Sequence, residues 1–427
     1  MRQRAGQLLQ NNKLISNFFF LSLVQGISLI VPLVITPYVV LIVGIGNFGL
    51  ISFVQSIMFL LALLIDFGFN VSATRKISIN RNDKAALETV YSNTLMAKTL
   101  LLAGAFVLLI VLSFFSKFNS ESFLYFSSFA IVVGQAYLPT WLYMGLEKMR
   151  DYAIFNVAGK IIFLVTIFLF IKETHDYIWV NLLLGVSTIL ATIISLLHIR
   201  YKLKILLINS AFSMAVNELR TTIPIFFTSV ANNVSSYSNS IILGLFAGYE
   251  VVGLFTIAEK VAVILKQAPS TFSQVLYPAG CNAASQSFNV YRLLLMKSYK
   301  PFFLFFMVVC TIIFLSTEYI VLYFNHAPNV TLNLILKLFI VAVFTNSLNI
   351  PAYQTMLSFN LQKSYSITLV TCCVVSIFTN FLLTSLFGIW GTAINVLLAE
   401  IMIVISLYVI LHYRHPNFSI LNSRSYV

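Results

Sequence analysis

From Leu14 to Ile65 the chain runs for 52 residues without an Asp, Glu, Lys or Arg. A membrane-spanning helix takes about 20 apolar residues, so this stretch holds two spans and the turn between them. The rest of the chain repeats the pattern: of 427 residues, 59% are hydrophobic and 9% charged. Soluble domains carry about 25% charged residues, and this chain lacks the polar surface to cover two or three of them. Disorder, fibres and secreted disulfide scaffolds are excluded by the same numbers. The four cysteines, Cys281, Cys310, Cys372 and Cys373, form no spaced framework. Apolar runs are continuous rather than alternating with polar residues, which argues against β-barrel spans. The expected class is an all-α polytopic membrane protein.

Charges, Asn, Gly and Pro punctuate the apolar runs and predict twelve spans. They lie at about 14–42, 48–69, 88–114, 123–144, 153–171, 178–198, 221–247, 252–276, 301–324, 331–357, 365–386 and 390–411. Lys and Arg set the orientation. With the N-terminus in the cytoplasm, 19 of the 26 basic residues fall on the cytoplasmic side. Only Lys117 and Lys172 fall outside, and the remaining five lie within spans. This split places both termini in the cytoplasm and turns the net charge of +13 into a statement about topology. A nucleic-acid partner is not credible for so apolar a chain. The first apolar run continues past the length of a signal-peptide core, so it is expected to remain as a helix. Residues 199–220 mix Lys202, Lys204 and Arg220 with leucine and isoleucine. They read either as an amphipathic helix on the inner leaflet or as an irregular linker.

An internal repeat organises the spans. Residues 44–52, Gly-Ile-Gly-Asn-Phe-Gly-Leu-Ile-Ser, align with residues 248–256, Gly-Tyr-Glu-Val-Val-Gly-Leu-Phe-Thr. Both fall at the turn between the first and second spans of a six-helix set. The chain therefore divides into two lobes, 1–205 and 206–427, that share one orientation and flank a central cavity, as in transporters built from parallel repeats. Gly44, Gly46 and Gly49 also imitate a dinucleotide-binding fingerprint, but that motif needs a preceding strand. Apolar helices flank these glycines, which serve a tight turn instead.

Charge within a membrane is costly and marks cavities or partners. Lys98, Lys260, Lys266 and Glu400 are the deepest charges; Lys160 lies nearer the inner surface. Lys98, Lys160, Lys260 and Lys266 are expected to line a basic cavity suited to an anionic substrate. Glu259 and Lys266 are seven apart on one helix face, so Glu259 can neutralise a lysine. Gln25, Asn232, Asn233, Asn239 and Asn349 serve either as sugar-binding amides or as bridges between helices. Pro32, Pro37 and Pro224 fall in spans 1 and 7, corresponding positions where bent helices point to a transport path. No nucleophile with a base, no metal site and no phosphate-binding loop is evident. Neither cofactor nor metal is expected, and transport would draw on an ion gradient or on the substrate's own.

The residues then suggest a family. Leu23-Val24-Gln25-Gly26, Pro32-Leu33, Pro37-Tyr38, Asn47-Phe48-Gly49-Leu50 and Asp66-Phe67-Gly68-Phe69-Asn70 resemble the N-terminus of bacterial O-antigen flippases of the Wzx type. The likeness continues through Ser72-Ala73-Thr74-Arg75-Lys76-Ile77-Ser78 to Asn80-Arg81, and returns in Val252-Gly253-Leu254-Phe255 and Ala258-Glu259-Lys260. These flippases form the polysaccharide-transport branch of the multidrug/oligosaccharidyl-lipid/polysaccharide exporter superfamily. The resemblance implies two six-helix lobes moving undecaprenyl-diphosphate-linked oligosaccharide to the periplasmic leaflet of the bacterial inner membrane by alternating access. It implies coupling to H+ or Na+, with Asp66, Glu259 or Glu400 as carriers, membrane lipid around the substrate's tail, and a polysaccharide polymerase as partner. The alternatives are a multidrug exporter of the same superfamily, which deep cations disfavour, and a membrane polysaccharide polymerase. A polymerase needs a large outer loop, and the longest here has about eight residues.

Overall fold

The computed structural model describes residues 2–208 and 212–414, with side chains except at 2–19, 21, 116–117, 228, 231–233 and 414. Among these residues there are helices and no strands. The chain divides into two compact units, Met1–Asn233 and Val234–Val427.

The first unit contains α1 (Arg2–Asp66), α2 (Phe69–Ile79), α3 (Lys84–Ser113), the short α4 (Ser116–Asn119), α5 (Ser122–Tyr137), α6 (Thr140–Gly145), α7 (Met149–Phe170) and α8 (Tyr177–His198). It also takes the first part of α9 (Phe212–Phe246). The second unit holds the rest of α9, then α10 (Tyr249–Gln286), α11 (Phe288–Leu315), α12 (Thr317–Asn325), α13 (Val330–Ser347), α14 (Asn349–Ser358), α15 (Gln362–Phe387) and α16 (Ile389–Arg414).

Nine helical stretches among the described residues are long and apolar enough to cross a membrane. One of them, Ser22–Ile79, is 58 residues long and carries the first two expected spans. Their division is at Gly44, where φ is 80° and ψ 161°. Gly248, the aligned residue of the repeat, has φ 86° and ψ 167°. This corner of backbone space is open essentially to glycine alone. The short sequence repeat is thus also a repeat of backbone geometry. The spans expected at 221–247 and 252–276 are helical, as α9 and α10, but are not among the nine. For α10 the cause is visible in the sequence: Glu250, Glu259, Lys260 and Lys266 crowd its first half, and Gln and Ser dilute its second.

Pro32, Pro37 and Pro224 lie inside α1 and α9 without ending them. Breaks fall in spans 4, 9 and 10, of which spans 4 and 10 are corresponding positions of the repeat, while span 9 is interrupted at Ser316 between α11 and α12. Span 4 is interrupted between α5 and α6, where Leu138 is extended ahead of Pro139, as a residue before proline prefers. Span 10 is interrupted at Leu348, between α13 and α14. Pro351 supplies no N–H to the carbonyl of Ser347 one turn earlier. The Tyr299 hydroxyl donates to that carbonyl at 3.0 Å, and the Tyr408 hydroxyl donates to the carbonyl of Leu348 at 3.2 Å. A break inside a bilayer must be satisfied by protein in this way.

Small residues set the helix contacts, as expected where lipid is as apolar as the helices and close packing drives association. At Gly185 on α8 an added Cβ would lie 2.5 Å from the Ala130 Cβ and 2.7 Å from backbone atoms of α5. The Thr192 hydroxyl donates to the Gly134 carbonyl across the same contact, at 2.8 Å. Residues 199–220 divide between the two readings: 204–208 are irregular, whereas 212–220 are helical as the start of α9. One wide turn (Ile199–Leu203) leads into residues 204–208, which are not helical. Glu88 and Ser92 of α3 accept from the Leu206 and Ile208 N–H groups at 3.0 and 2.9 Å and hold this stretch in place.

Candidate functional site

Each unit holds an ion pair built from charges that the sequence marks as out of place in a membrane. In the first unit, Asp66 ends α1, and Phe67 and Gly68 turn the chain into α2 with φ of 49° and 79°. A Cβ at Gly68 would meet the Phe226 nitrogen at 3.2 Å, and the Phe67 ring stacks on that of Phe226, centroids 4.3 Å apart. The turn is therefore pinned against α9 at Ile225 and Phe226. It presents the Asp66 carboxylate to α3, where Lys98 Nζ donates to Oδ1 at 3.1 Å. The Lys98 side chain is 2% exposed and that of Asp66 22%. Lys160, half-buried on α7, donates to the Ser28 hydroxyl of α1.

In the second unit, Lys266 of α10 and Glu400 of α16 are paired at 2.5 Å. The other carboxylate oxygen of Glu400 accepts from Asn346 of α13 at 2.8 Å. Three helices thus converge on one carboxylate. Next to it, α10, α13, α14, α15 and α16 enclose a cavity of about 250 Å³ whose lining includes Ser270, Gln274, Asn346, Asn349, Tyr353 and Tyr365. Asn346 and Asn349, on either side of the break in span 10, form part of its wall.

The structure brings together residues that the sequence assigned to different tasks. Lys98 and Lys266, expected as cations for an anionic substrate, are joined to Asp66 and Glu400, expected as ion carriers. Lys266 has Glu400 within ion-pair distance, while the charges of Lys266 and Lys260 also act on Glu259 of the same helix. Glu259 and Lys260 stay half-buried on α10, and Ser240 hydrogen-bonds Glu259. Asn239 is buried and accepts from Asn380 of α15 at 3.0 Å, which is the helix-bridging use. Gln25 is exposed on α1. Asn232 and Asn233 lie in α9 with side chains outside the described residues. Asn349 lines the cavity, and its buried Oδ1 has no hydrogen-bond partner among the described residues.

Sequence inspection missed a buried ladder of small polar residues between α15 and α16. Thr379 donates to Asn395 at 2.6 Å, Asn395 to Ser376 at 3.3 Å, and Thr384 to Asn380 at 2.8 Å. Thr384 also pairs with Thr392 at 2.7 Å. Each such residue is unremarkable singly; only their four-residue spacing on α15 hints at a common face.

Known proteins of similar sequence and structure have related names. Two curated relatives are named as candidate O-antigen transporters. One, from Shigella dysenteriae, is 24% identical over 91% of this chain and 98% of its own length. The other, from Escherichia coli K12, is 25% identical over 91% of this chain and 94% of its own. Among solved structures, an inward-facing multidrug-resistance MATE transporter of the MOP superfamily superposes with a TM-score of 0.68 at 15% identity, covering 92% of this chain and 96% of that one. The lipid II flippase MurJ, in an inward closed conformation, gives 0.67 at 15% identity, covering 92% and 87%. At this identity the structures establish a shared helical fold. The sequence profile of the family described as polysaccharide biosynthesis protein matches residues 14–280. That match takes in the repeat, the Asp66 turn and Lys266, and the chain belongs to this family.

Proposed function

We propose that the protein is a flippase moving undecaprenyl-diphosphate-linked saccharide units from the cytoplasmic to the periplasmic leaflet of the bacterial inner membrane. The observation that carries this reading is the lysine–carboxylate pair found within the apolar helices of each unit, with Lys98 and Glu400 as its most buried members. A charge inside a membrane is retained at several kcal/mol only where it has a use. A diphosphate group competes with a carboxylate for a lysine, and binding it would free Asp66 or Glu400. A freed carboxylate at that depth takes up a proton or a sodium ion. Substrate and ion then act on the same pair, which couples them. The two lobes, 1–205 and 206–427, would alternate between access to the two sides, with both termini in the cytoplasm. Lys160 and Lys260 add positive charge, and Glu259 is a further ion carrier. The family membership and the names of the curated relatives support the substrate class. The saccharide would pass to a polymerase outside.

Lys98→Ala and Lys266→Ala test this reading. Each is expected to lower surface polysaccharide at least tenfold per unit of protein in the membrane fraction, which separates lost transport from lost abundance. Normal surface polysaccharide in both variants would remove the lysines from the mechanism. Drug-efflux assays distinguish the multidrug alternative: expression is expected to leave the susceptibility of an efflux-deficient host unchanged.

A further inference from the structure

We infer that the cavity at the break in span 10 is a subsite for one neutral sugar ring, an inference that rests on the saccharide-transport reading. Its chemistry is the argument. The lining named above offers two amides from the broken span, Asn346 and Asn349, one from α10, Gln274, and the hydroxyl of Ser270. No lining residue is charged, so the cavity is not built for a phosphate or a cation. Tyr353 and Tyr365 stand with ring centroids 5.1 Å apart and planes tilted by 59°, one from α14 and one from α15. Amides that both donate and accept, beside aromatic faces with polar tips, suit a ring that is apolar on its C–H faces and hydroxylated at its edge. The volume of about 250 Å³ is below the roughly 300–1,000 Å³ of sites for drug-sized ligands, which fits a single ring.

The place of this lining in the fold points the same way. Interrupted helices at corresponding positions of a repeated transporter mark the binding region, and Asn346 and Asn349 flank the interruption directly. Asn346 also joins the cavity to the ion pair, because its amide donates to Glu400. A ring hydroxyl that draws Asn346 away would loosen Glu400 from one side, while a diphosphate loosens it from the other. The saccharide and its anchor would then be sensed at one carboxylate.

The test uses the full chain purified in detergent and the lipid-free repeat oligosaccharide released from the host's surface polysaccharide. Saturation-transfer NMR is expected to show contact with one ring of the repeat, reduced at least twofold by Asn349→Ala or Tyr365→Leu. Asn349→Ser and Tyr365→Phe are held in reserve should either variant be lost from the membrane. The same measurement on Tyr413→Ala, at the far end of α16, is expected to match the unsubstituted protein. Equal transfer in all variants would overturn the subsite. So would no transfer from a protein that restores surface polysaccharide to a deletion strain, since that leaves the transport reading intact. Intact surface polysaccharide in the deletion strain would instead overturn the transport reading.

Discussion

Lys98 is the residue where burial and charge conflict most sharply, with a side chain 2% exposed on an apolar helix. Removing one member of a buried ion pair leaves the other uncompensated, at about 3–5 kcal/mol. Lys98→Met is therefore expected to reduce membrane abundance by exposing Asp66 to an apolar setting. Adding Asp66→Asn should restore abundance without restoring surface polysaccharide. Immunoblots of membrane fractions for the four combinations would measure this coupling. Abundance lost equally in the single and double variants would show that the pair is not the cause. The charges themselves were legible in the sequence, because each interrupts an apolar run. Their pairing was not. Helical periodicity reveals only partners on the same helix, which is why it suggested Glu259 for Lys266. The actual partners lie 32 positions apart for Lys98 and 134 for Lys266, separations that carry no periodic signal.

At the scale of elements, the turns at Gly44 and Gly248 repeat one geometry to within a few degrees of φ and ψ. Any other residue there costs about 1–3 kcal/mol. Gly44→Ala and Gly248→Ala are each expected to lower the unfolding temperature of the purified protein, by comparable amounts. Unchanged unfolding in either would mean that its turn relaxes freely. Gly185→Val should be worse, since its branches would enter the backbone of α5, and overpacking typically costs about 1–3 kcal/mol. Loss of the protein from the membrane fraction is expected. The Gly turns were readable because only glycine serves there. The helix breaks were not readable from proline alone. Pro32, Pro37 and Pro224 are absorbed within helices, whereas Pro139 and Pro351 stand beside breaks. The difference lies in the surroundings. At Leu348 the freed carbonyls have tyrosine donors on neighbouring helices, and no local pattern in the sequence announces them.

For the whole molecule, the expected spans correspond to helical segments, since an uncharged apolar run of sufficient length has few alternatives in a bilayer. The boundaries were less legible. Phe67 and Gly68 end α1 just inside the second expected span, and α10 is too polar to pass as a span by composition. These two departures lie at residues of the two ion pairs, whereas α9, also outside the nine apolar stretches, carries neither pair. The orientation derived from Lys and Arg is open to direct trial: reporter fusions within 115–122 and 172–177 should score as periplasmic, and a cytoplasmic score for either would invert the topology.

Translocation itself is best tested by deleting the gene and analysing lipid-linked saccharides by mass spectrometry. Complete undecaprenyl-diphosphate-linked repeat units should accumulate in the inner membrane while surface polysaccharide disappears, with both reversed by the unsubstituted gene. Surface polysaccharide at normal levels, with no accumulated lipid-linked unit, would contradict the assignment as a flippase.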